Sequence, residues 1–172
     1  DLFLLRLYVL HQKTLLSRTM HDIRYDEVHD EFLVTNPFAA AILVFRGGAN
    51  GEEAPIRVIQ GPNTQLQGTG GVAPAADRLD VDPVHNEIFI PAGDRILVYP
   101  RTGNGDVAPI RIIRGPDTGL RRAQAIGVDP VHQVIAVGTN VAYQNGMGSL
   151  LIFNRTDSGN VRPRGIIMGP KA

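Results

Sequence analysis

Three histidines, His29, His85 and His132, stand in one repeated setting: "YDEVHDE", "VDPVHNE" and "VDPVHQV". Imidazole nitrogen is a common metal ligand, so three copies around one axis would make a ring able to hold an ion. The same residues support a plainer reading. Asp26, Asp82 and Asp129 lie three positions upstream, where an aspartate accepts hydrogen bonds from turn amides. The histidine then fills a polar slot in a turn between two strands. A feature copied in every repeat serves the repeat's own construction, and one ion bridging three units needs a very narrow channel. The turn reading is preferred, and no metal is assigned.

The better candidates lie where the repeat breaks. His21, Asp22, Asn36, Asp77 and Arg78, then Arg122, Gln124 and Tyr143, fall in the segments expected to lead into a first strand or out of a second. They form the candidate ligand- or partner-binding set. Asp94, Arg95, Arg121 and Asn140 share those segments. Asp22, Asn36 and Asp77 carry the oxygen donors that a hard divalent cation takes, although their spacing compels no site. Catalytic residues are not assigned. "GTGG" at Gly68 lacks the lysine and helix of a phosphate loop. Ser17, Ser149 and Ser158 have no nucleophile-elbow context. The absence of cysteine removes thiolate nucleophiles, disulfides and zinc–thiolate sites together. Lys plus Arg and Asp plus Glu are 17 each, so no global field favours nucleic acid, and Arg121-Arg122 is only a small basic spot.

The elements that must position these residues follow from the punctuation. Nineteen glycines and 12 prolines in 172 residues fall between short apolar runs, the mark of a turn-rich β protein. "APIRVIQGPNTQL" begins at Ala54 and "APIRIIRGPDTGL" at Ala108. Pro55, Pro109 and Pro163, the Gly-Pro pairs at 61, 115 and 169, and the runs "AILVF", "RILVY" and "SLLIF" all repeat every 54 residues. Asp26, Asp82 and Asp129 are spaced 56 and 47, the slippage falling in glycine-rich connections where insertions belong.

Each copy resolves into four strands. "DIRYD", "DRLDVD" or "AIGVD" comes first, and "EFLVTN", "EIFIPA" or "VIAVGT" second. The "ILVF"-type run is third. A hairpin at Asn50-Gly51, Asn104-Gly105 or Ser158-Gly159 leads to the fourth, which a proline opens. Four strands in about 50 residues is the pattern of a propeller blade. A helical repeat fails, because glycine or proline cuts nearly every run. Proline cannot donate to a ladder, so the fourth strand is expected at the outer edge, facing water. Arg57 and Arg111 are expected to point outward while their isoleucine neighbours pack between blades.

The fold class is therefore all-β: three complete four-stranded antiparallel blades, spanning about 21–62, 77–116 and 124–170. Aligning Thr14 with Thr118 adds one extra N-terminal strand over Leu2–Leu10, so residues 1–20 are expected to be an outer strand and linker of a preceding blade.

The "G-x-x-P-x-R-x-I" outer strand, the "GP-x-T" exit and the "V-D-P-V-H-N-E-I" hairpin resemble NHL-type β-propeller repeats, most closely those of bacterial propeller proteins of unassigned role. The resemblance covers about 150 residues and departs from the family in blade number, since such rings carry about six. It implies open blade faces. Either this is part of a longer chain, which the orphan strand favours, or two chains associate to complete the ring. The orphan strand could also act as a latch on a neighbour. The expected function is a non-catalytic protein-binding or scaffold module. Its partner is a protein or a second copy, with no nucleic acid and no transmembrane segment. The alternative is a metal-dependent hydrolase or lyase of the gluconolactonase-like type, using calcium or zinc at the mouth. A secreted or periplasmic location is slightly favoured by the lack of cysteine, with any export signal outside the sequence.

Overall fold

The computed structural model describes residues 20–67, 77–139 and 148–169. The proposed strand over Leu2–Leu10, and Asn140 and Tyr143, lie outside them. Among the described residues, twelve strands form three antiparallel sheets, the strands of each adjacent in chain order. The first holds β1 (Ile23–Asp26), β2 (Glu31–Asn36), β3 (Ala41–Arg46) and β4 (Arg57–Gln60). The second holds β5 (Asp80–Asp82), β6 (Glu87–Pro91), β7 (Arg95–Pro100) and β8 (Arg111–Arg114). The third holds β9 (Ala123–Asp129), β10 (Val134–Thr139), β11 (Ser149–Asn154) and β12 (Gly165–Met168).

Alternation along the strands gives each sheet two apolar faces, and those turned toward each other close between the first and second and between the second and third sheets. Leu33, Ile42, Val44 and Ile59 of the first sheet meet Leu79, Ile88, Ile90, Leu97 and Tyr99 of the second, all fully buried. Phe89, Ile96, Val98 and Ile113 of the second meet Ile126, Ile135, Val137, Leu151 and Phe153 of the third. Each such side chain contributes about 1.5–3 kcal/mol on leaving water. The exit segments seal these joints. Pro62–Thr64 and Pro116–Thr118 form single 3-10 turns in which the threonine hydroxyl donates to the carbonyl of Gly61 or Gly115. Leu66 and Leu120 follow directly and are buried under the next sheet. The Tyr99 hydroxyl donates back to the Thr64 carbonyl.

Two expectations for the outer strand need correction. Its edge does not simply face water. The Gly105 amide donates to the Val58 carbonyl at 2.6 Å and the Gln60 amide to the Gly105 carbonyl at 3.0 Å, so the second sheet's hairpin bridges β4. Gly159 bridges β8 in the same way, at 2.7 and 3.0 Å. Gly105 and Gly159 have φ of 80° and 73°, a turn conformation that glycine adopts without strain. The prolines precede the ladder by two residues, and the first bond is made by Ile56 or Ile110.

The second correction concerns Arg57 and Arg111. They lie on the face turned to the next sheet, paired with Glu31 and Glu87, while Ile56 and Ile110 are about half exposed. The reason is register. Arg57 is opposite Val44, which is opposite Leu33, and Glu31 shares that face two positions along β2.

Candidate functional site

The three aspartate–histidine turns are near copies. One oxygen of Asp26, Asp82 and Asp129 accepts from the backbone amides two and three residues on, at 2.8–3.1 Å. The other holds Nδ1 of His29, His85 and His132 at 2.8, 2.6 and 2.5 Å. Each imidazole is thus held by the aspartate of its own turn. At Asp129 the His132 amide, the His132 ring and the Val131 amide outweigh desolvation and hold the carboxyl below its usual range. Asp82 is fully buried, so Asp82→Ala leaves the Val84 and His85 amides unbonded and is expected to cost about 1–2 kcal/mol. Asp129→Ala, at an exposed turn, is expected to cost less. Paired thermal melts check the order.

Beside these turns lies a network that sequence reasoning missed. Glu87 accepts two parallel bonds from Arg111 at 2.6 and 2.8 Å and a third from Arg155 of the next sheet at 2.6 Å. Glu31 likewise receives Arg57 at 2.5 Å and Arg101 of the next sheet at 2.6 Å. The Arg101 and Arg155 Nε atoms donate to Asn86 and Gln133 at 2.8 and 2.7 Å. Burial pushes the Glu87 carboxyl up, but Arg111 and Arg155 outweigh it and hold it below the usual carboxylate range.

The predicted mouth residues partly converge at the opposite end, between the first two sheets. His21 Nδ1 meets Asp77 Oδ1 at 2.6 Å, and the Phe38 ring stands edge-on to the imidazole with centroids 5.7 Å apart. Asp22 is buried, accepts from the Leu79 amide and from Arg24 at 3.0 Å each, and has Arg78 at 3.9 Å. Thr35, absent from the sequence candidates, ties the cluster together: its hydroxyl accepts from the Asp22 amide and donates to the Asp77 carbonyl, both at 3.0 Å. Asn36 is buried and accepts from the Ala39 amide at 3.2 Å, capping the Pro37–Ala39 turn.

Arg122 and Gln124 sit at the start of the third sheet, exposed, with Arg122 at φ 49°. Gln124 occupies the register of His21 and Asp77, so the three define one tier of the repeat. Asp94 accepts from Arg95 at 2.8 Å and Arg114 at 3.1 Å on the same rim. Among the described residues, no three histidine, aspartate or glutamate side chains converge in ligand geometry. No helix there is long and apolar enough to cross a membrane.

One tier deeper, Arg24 Nε donates to Asp80 Oδ1 at 3.3 Å, and the Val128 amide donates to Asp80 Oδ2 at 2.7 Å, linking all three sheets. Burial raises the Asp80 carboxyl; the Val128 and Val81 amides and Arg24 offset it in part. A folded pKa above the unfolded value of about 3.9 means stability is fullest below that pH and is lost as pH rises through the folded pKa. Asp80→Asn removes this titration. The melting temperature of the variant minus that of the parent is expected to be more positive at neutral pH than at about pH 3, the acid side of that value.

The arrangement of sheets has clear counterparts. The WD40 β-propeller domain of Doa1 superposes with TM-score 0.51 at 9% identity, over 86% of this chain and 40% of that one. A putative 6-phosphogluconolactonase from Bacteroides uniformis gives 0.52 at 11%, over 86% and 40%. This chain is a β-propeller segment. Raptor from Chaetomium thermophilum gives 0.56 at 13% identity, over 87% of this chain and 12% of that one. The propeller segment thus spans 40% or less of these proteins, and at such identities the likeness carries the fold alone. No protein-family model and no curated protein matches the sequence.

Proposed function

We propose that this propeller segment is a non-catalytic protein-binding or scaffold module, NHL-like in its repeat and a subunit of a larger complex. One observation carries the reading: its buried acids are engaged in construction. Asp22 holds the next sheet's amide, Asp26 and Asp82 hold their own turns, and Glu31 and Glu87 tie sheets together. What the mouth presents instead is an exposed aromatic, Phe38, beside the half-exposed His21–Asp77 pair. An aromatic with polar neighbours is a common anchor in protein interfaces.

The same His21–Asp77 pair gives the alternative its foothold, because a carboxylate-oriented imidazole can take a proton from water or from a metal-bound water. The test is affinity capture from the native source with the parent chain and with Phe38→Ser. A stoichiometric partner, lost with Phe38→Ser, supports the binding module. Turnover of sugar lactones that is abolished by a chelator and by His21→Ala, with no such partner, replaces it with the metal-dependent hydrolase.

A further inference from the structure

Each internal joint of the propeller is made from the same parts, and the two faces turned away from those joints depart from the pattern together. On the forward face of the third sheet, Val134 stands where the other sheets have Glu31 and Glu87, and Gly165 where they have Arg57 and Arg111. On the backward face of the first sheet, Gly47 stands where the others have Arg101 and Arg155. A β-carbon at Gly47 would lie 1.6 Å from the Asp30 carboxylate, which the Tyr25 hydroxyl holds at 2.8 Å instead. The glutamate and both arginines of the joint are therefore missing, from both halves, and of its charges only the turn aspartate, Asp129, is kept. A third-sheet face meeting a sheet that kept the arginine would bury it without its glutamate, leaving only Asp129, whose counterparts stand 3.8 Å from that arginine; meeting the first sheet, it buries no arginine.

Side-chain volume departs in the same reciprocal way. The first sheet's backward face is enlarged: Tyr25 and Phe32 replace Val81 and Ile88 of the second sheet, and Val128 and Ile135 of the third. Their rings pack 4.8 Å apart, and Tyr25 is half exposed. The third sheet's forward face is reduced at the matching depth. Ala136 stands where the others have Leu33 and Phe89, Gly138 where they have Thr35 and Pro91, and a β-carbon at Gly127 would meet nothing within 4 Å. Leu150 and Ile167, farther out, are 37% and 51% exposed. The backbone part of the joint is kept: Gly51 has φ 64°, like Gly105 and Gly159, and the edge of β12 offers the Ile166 carbonyl and the Met168 amide in the register those glycines use.

From this matched loss of charge and exchange of volume we infer that the third sheet docks on the first sheet of a second copy. Two such head-to-tail joints double three sheets to six, within the roughly four to eight blades of closed propellers. The inference rests on the binding-module reading and names its partner as another copy of this chain.

Sedimentation equilibrium of the 172-residue chain tests it. The expected result is a dimer of twice 18.7 kDa. Ala136→Leu is expected to weaken association at least tenfold, a change of about 1.4 kcal/mol, and Phe32→Val added to it to restore most of the loss. Val134→Glu, with an unchanged circular dichroism spectrum, is a second route to the monomer. A parent chain that stays monomeric across the measurable range overturns the inference, as does a dimer indifferent to these substitutions. A monomer that still captures a foreign partner sinks self-association and leaves the binding module standing; a dimer that hydrolyses lactones does the reverse.

Discussion

Glu87→Ala is expected to destabilise the fold by about 3 kcal/mol at neutral pH, the scale of removing one partner from a buried ion pair. Glu87 is 8% exposed, and its carboxylate is shared by Arg111 and Arg155, which arrive from different sheets. Deleting it takes the carboxylate from Arg111 and leaves Arg155 with Asp82 at 3.8 Å and Gln133, where water is scarce, and a cation stripped of its partner costs more than the pair contributed. The sign of the pH dependence follows from the depressed carboxyl. Its contribution is present above the unfolded value of about 4.3 and is lost as pH falls through the folded pKa. Urea melts of parent and variant should therefore differ most near neutrality and converge in acid. A constant difference across that range would mean that Glu87 acts through packing alone.

Phe89→Ala is expected to cost about 3–5 kcal/mol, the usual range for emptying a buried phenylalanine site. Phe89 is fully buried between the second and third sheets, in the cluster with Ile126, Ile135 and Val137. Antiparallel neighbours hold its strand on both sides, so the backbone has little freedom to collapse into the space. Chemical denaturation measures the loss directly; one below about 1 kcal/mol would show that the sheets close over the gap.

What the sequence discloses is mostly what lies within a strand or a turn. The period of 54 and the four runs per copy locate every sheet, because alternation and Gly-Pro punctuation are local. The aspartate three residues before each histidine has the spacing of the turn it closes, and the turn follows from that alone. Contacts between sheets are less accessible. Alternation separates two faces of β4 but does not say which meets the next blade, so Arg57 and Arg111 read as solvated although each faces an acid more than 20 residues away.

The mouth lies between these extremes. His21 and Asp77 hold one register in successive copies, a signal present in the alignment of repeats. Thr35 and Arg24 look like ordinary strand positions until their neighbours are placed. Arg122 and Gln124 stand at the start of the third sheet, Gln124 in the register of His21 and Asp77, because the tier advances by one blade with each copy.

The order of the strands carries a consequence for biosynthesis. Among the described residues, every ladder joins neighbours in the chain, and the fastenings between sheets reach only to the following sheet. A sheet can therefore close as soon as its fourth strand leaves the ribosome, and the next can be laid against it without waiting for distant sequence. The chain can mature one blade at a time, in the direction of translation.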